Sequence, residues 1–147
     1  MSTSSIISSP IERVAFRKLL WVGPVAAVAA FVAVVVVFGI AGLFGVPLEV
    51  MAPPTYETLS PMEVSFIAQA TFPPAIGATI LLAILGRFTR RPFLNFQIIA
   101  LVVFLLLTFG GPLSLPVSGL VKLVLAAMHV VAAGAIVGVL STLGRVK

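Results

Sequence analysis

Arg87-Phe88-Thr89-Arg90-Arg91-Pro92 is the stretch on which the reading of this chain turns. Three arginines closed by a proline interrupt an otherwise apolar sequence and divide it into two pairs of long apolar segments. Cations that close to hydrophobic spans are retained on the cytoplasmic face of a membrane, so Arg87, Arg90 and Arg91 set the direction of every segment around them.

Composition agrees with that reading. Of 147 residues, 61% are hydrophobic and 9% charged, against about 25% charged in an average soluble domain. Too little polar surface exists to face water, so lipid is the outer solvent, and helices satisfy their own backbone groups there. The expected fold is all-α, an integral membrane four-helix bundle made of two helical hairpins. It forms a single transmembrane domain over residues 9–147 behind a loose Ser/Thr-rich tail at 1–8.

The formal charge is +5. The cations border apolar spans in the pattern that sets orientation, so anionic lipid, not nucleic acid, is the expected partner. Cysteine is absent, which excludes disulfides, thiolate catalysis and cysteine-ligated metals or clusters.

Ser9-Pro10-Ile11-Glu12 reads as a helix start, with Ser9 as N-cap and Glu12 completing a capping box. Arg13, Arg17, Lys18 and Trp21 follow, suited to the headgroup region. The first span runs from about 19 to 44, too long for a signal-peptide core, with a kink expected at Gly23-Pro24. Within it, Ala26/Ala30 and Ala29/Ala33 are small-xxx-small pairs that let another helix come close.

Residues 45–60 contain Pro47, Pro53, Pro54, Glu49 and Glu57 but no cation, the composition of a stiff, non-helical loop on the far side. Ser60-Pro61-Met62-Glu63 repeats the capping pattern, opening a second span over 63–85. Pro73-Pro74 lies in mid-span and predicts a bend or an unwound turn near Thr71. The third and fourth spans are expected over 93–109 and 119–143. Eight of the nine basic residues then fall on one side (Arg13, Arg17, Lys18, Arg87, Arg90, Arg91, Arg145, Lys147) and Lys122 on the other. Both termini are therefore placed in the cytoplasm, in a multi-pass protein of the cell (inner) membrane.

Few residues carry chemistry. Lys122 and His129 are seven apart on the fourth span, hence on one face and roughly 10 Å apart along the axis. An ionisable group at that depth is a functional candidate by default. His129 has three readings: a packing residue bonded to Gln69 or to a carbonyl freed by Pro73-Pro74, a proton or ligand site, or an axial ligand to haem or another tetrapyrrole. Lys122 either pairs with Glu63 or snorkels to the surface. Gly134 and Gly138 form a GxxxG, read first as packing inside the bundle and second as a homodimer face. One His, no Cys and no Asp assemble neither a metal site nor a catalytic triad, so no enzyme is expected.

Gly45-Val46-Pro47, the Arg87–Pro92 connector and Met128-His129 together resemble an uncharacterised family of small bacterial membrane proteins, a domain of unknown function with four predicted spans. The resemblance covers about Trp21 to Leu143; it implies four helices and a bacterial origin and carries no activity. The function expected is a non-enzymatic accessory or scaffolding subunit of a larger membrane complex, or a homo-oligomer. The alternative is a small transporter, channel or ligand-sensing protein with a site near His129 and Gln69.

Overall fold

The computed structural model describes residues 12–51 and 58–146. The N-terminal tail at 1–8, the Ser9-Pro10 cap, Pro53-Pro54, Glu57 and Lys147 lie outside the described residues. Four helices, α1 (Phe16–Leu43), α2 (Val64–Phe88), α3 (Pro92–Gly110) and α4 (Gly119–Leu143), are each long and apolar enough to cross a membrane. At about 1.5 Å per residue, the 19 residues of α3 match a ~30 Å hydrocarbon core, whereas the 28 of α1 exceed it.

The helices begin where backbone chemistry allows, which is not always where the capping patterns point. Residues 12–15 are extended, and α1 starts at Phe16 behind Ala15, whose side chain offers no cap. Glu12, the described half of the first capping pattern, lies before the helix with its carboxylate engaged by Phe93 N–H and Arg145. The second S-P-x-E pattern does not cap a helix at Ser60: Leu59–Pro61 is a strand, β2, paired antiparallel with β1 (Glu49–Met51), Val50 facing Ser60. The Ser60 hydroxyl donates to the Val50 carbonyl (3.4 Å), and α2 begins at Val64 with Glu63 as its extended N-cap. Pro92 opens α3 at its first helical position, where a missing N–H costs nothing, and Ser118 caps α4 by accepting from the Val121 N–H at 3.4 Å.

No unwound turn occurs at Pro73-Pro74; α2 is helical throughout, as is α1 across Pro24. The remaining backbone bonds hold the helix together, since a further opening in lipid would leave more polar groups without partners.

α1 packs most extensively against α4, joining the first and last helices, and next against α2; α3 sits between α2 and α4 with smaller interfaces. The dominant seam therefore runs between the two hairpins rather than within either. Its sequence signal is the small-residue face of α1: Ala26 and Ala30 are fully buried with Ala27, against Ile136 and Leu140 of α4. Such close approach gains dispersion contacts, the main attraction left when lipid is as apolar as the side chains. At the α1–α2 crossing Gly23 leaves room for Thr79, and one end further on Gly86 leaves room for Val14 and Phe16.

The two ends differ. At one, the extended residues 12–15 lie beside the end of α4, Val14 bridging to Arg145. The α2–α3 connector closes the same end, so Arg13, Arg17, Lys18, Arg87, Arg90, Arg91 and Arg145 all gather there. At the opposite end Leu48, Val50 and Met62 of the β1–β2 hairpin region are buried with Val121, Leu125 and Met128 of α4, and Lys122 lies there.

Candidate functional site

The residues singled out in mid-membrane are not brought together. His129 is half-buried and meets α3: its ring lies 5.9 Å from that of Phe104, tilted by 36°. Gln69 is exposed on α2, and among the described residues no hydrogen bond joins it to His129. The Lys122–Glu63 pair is not formed either. Glu63 stays at the start of its own helix, exposed, accepting the Ser65 hydroxyl at 3.1 Å, while Lys122 is half-buried with no ion pair among the described residues. No three His, Cys, Asp or Glu side chains cluster as metal ligands among the described residues.

Gly134 and Gly138 do not line a seam inside the bundle. Both are exposed, and a Cβ added at either would meet nothing within 4 Å. GxxxG spacing creates a flat helix face but does not say which neighbour covers it. Here α4 turns Ile136 and Leu140 inward and the two glycines outward.

The polar side chains that do converge are at the end where residues 12–15 meet residues 144–146. The Phe93 N–H, in the first turn of α3, donates to Glu12 Oε2 at 3.1 Å; the other carboxylate oxygen lies 4.0 Å from Arg145 Nη1. A carboxylate belongs at a helix N-terminus, where free N–H groups and the dipole favour negative charge. The Arg145 guanidinium lies 4.6 Å from the centroid of the buried Phe93 ring, while its Nε donates to the Ser141 carbonyl at 2.9 Å. Gln97 donates from Nε2 to the buried Ser141 hydroxyl at 3.4 Å, tying α3 to α4. Backbone bonds complete the clasp: Ala15 N–H to Gly144 O at 2.9 Å and Val146 N–H to Arg13 O at 3.1 Å.

This clasp joins α1, α3 and α4 through one carboxylate and one guanidinium. Both oxygens of Glu12 are occupied, so the arrangement holds charge instead of presenting a base. Sequence reasoning missed it, although Glu12 is the sole acid among the flanking cations of that end, and that isolation was a usable signal. Of the topology-setting cations, Arg87, Arg90 and Arg91 are all exposed.

A four-helix, multi-pass membrane protein is thus defined by its fold. Residues 14–145 match a family of unknown function (DUF6069), and the chain belongs to that family. No curated protein and no solved structure matches it.

Proposed function

We propose that the protein is a non-enzymatic membrane subunit that works by lateral association, as an accessory or scaffolding component of a larger membrane assembly or as a homo-oligomer. The observation that carries this reading is the outward face of α4. Exposed Gly134 and Gly138 form a flat patch that continues into the exposed apolar side chains Val130 and Leu123, a strip that no described helix of the chain covers. Strips of this kind let a second backbone approach closely, which is how helices associate in lipid. The polar side chains that converge do so in structural bonds at one end of the bundle, and the outer faces are the surface on which we take function to act.

The gathering of cations at one end supports an orientation with both termini and the α2–α3 connector in the cytoplasm of a bacterial inner membrane. The mass of tagged protein extracted in mild detergent tests the reading. Stoichiometric co-purification of other membrane subunits, or a homo-oligomer, is the expected result; a bare monomer would contradict it. A bound chromophore seen in the same sample would instead support cofactor ligation at His129.

A further inference from the structure

We propose that the lipid-facing side of the α1–α2 seam, at the end that holds the α2–α3 connector, binds an anionic phospholipid, its phosphate between Arg17 and Arg87 and an acyl chain along Leu20 and Ile80. Contacts fix the register of the two antiparallel helices: Gly86 lies against Phe16 and Gly23 against Thr79. Arg17 and Arg87, each one residue beyond the Phe16–Gly86 contact, are therefore separated by about 3 Å in height.

Both are exposed, and neither has an ion-pair or hydrogen-bond partner among the described residues. Helical spacing extends an apolar stripe from each. On α1 the stripe continues through Leu20, 82% exposed, to exposed Pro24; on α2 it continues through Ala83 and Ile80 to Ile76, the two isoleucines 55% and 59% exposed. A pair of cations at the head of paired apolar stripes that run toward the membrane centre complements a phospholipid, charged head above and hydrocarbon below.

The local charge is uncompensated. α1 opens with Arg17 and Lys18, no acid in its first turn and no side-chain cap, an arrangement the helix dipole disfavours until an anion arrives. Glu12 is engaged by Arg145 and the Phe93 N–H, and the other three glutamates belong to the segment between α1 and α2. Among the described residues no acid is left near Arg17 and Arg87 to supply the counter-charge. This assignment is independent of lateral association, because it concerns a single chain and its bilayer.

Native mass spectrometry of the delipidated full chain tests it, titrating phosphatidylglycerol against phosphatidylcholine of identical acyl chains. The anionic lipid is expected to bind at least about tenfold tighter, and the Arg17→Gln/Arg87→Gln pair to lower its affinity roughly thirtyfold. Arg90→Gln and Lys122→Gln are expected to change little, with thermal midpoints confirming that every variant is folded. Equal binding of the two lipids would overturn the proposal. So would an equal loss in Arg90→Gln, which would reduce the effect to diffuse charge, or full competition by glycerophosphate, which would assign the cations to a free phosphate.

Discussion

Gly23→Ala is the substitution whose consequence follows most directly from the packing. A Cβ at residue 23 would stand 2.8 Å from Thr79 Oγ1, 2.9 Å from Cγ2 and 3.3 Å from Cβ. Thr79 has little freedom to yield, because it is β-branched and its hydroxyl donates to the Ala75 carbonyl at 2.8 Å. The substitution therefore parts the α1–α2 seam or breaks that bond. Overpacking of this kind costs about 1–3 kcal/mol, and the better helix propensity of alanine returns up to about 1 kcal/mol, leaving a net loss of about 1 kcal/mol. Gly134→Ala, where nothing lies within 4 Å, has the propensity gain alone and is expected to be neutral or stabilising. Thr79→Ala removes the two atoms under 3.0 Å, so the double variant should recover, with a coupling of about 1 kcal/mol in a double-mutant cycle. Equilibrium unfolding in detergent, read by circular dichroism, measures the natural chain and all four variants. Equal stabilities for Gly23→Ala and Gly134→Ala, or strict additivity with Thr79→Ala, would refute the seam.

Other variants probe the clasp and the membrane interior. Glu12→Gln should destabilise by about 1 kcal/mol, since it weakens both a helix-terminal charge and an ion pair, and the loss should shrink at high salt in the same unfolding assay. Thr108→Val should be neutral or raise the thermal midpoint by a few degrees, because the buried Thr108 hydroxyl has no hydrogen-bond partner among the described residues and costs about 1 kcal/mol. His129→Leu should keep stability within about 1 kcal/mol, as the imidazole makes a ring contact with Phe104 but no hydrogen bond among the described residues; a much larger loss would reveal a polar partner.

The spans were legible because four apolar runs bounded by cations, prolines and glycines admit almost one solution in lipid. Ala26 and Ala30 were legible as a seam for a related reason: small residues four apart can only flatten one face. Features set by distant partners were not. The S-P-x-E pattern at 60–63 is a local cap signal, yet pairing of Val50 with Ser60 outcompetes it and makes a strand. Glu12 matched the same local pattern and is taken by Phe93 and Arg145, far along the chain. Gly134 and Gly138 show the limit from the other direction, since spacing reveals an approachable face while only the packed bundle shows that it turns outward.

The central claim is that another chain covers that outward face of α4. The natural sequence has no cysteine, so Gly138→Cys introduces a single thiol, and a maleimide-linked benzophenone attached there crosslinks on illumination in native membranes to whatever polypeptide lies beside it. The account predicts a crosslinked species with a second polypeptide, itself or another subunit, and none for a cysteine placed at lipid-facing Ile84. Monomer alone at both positions would contradict it.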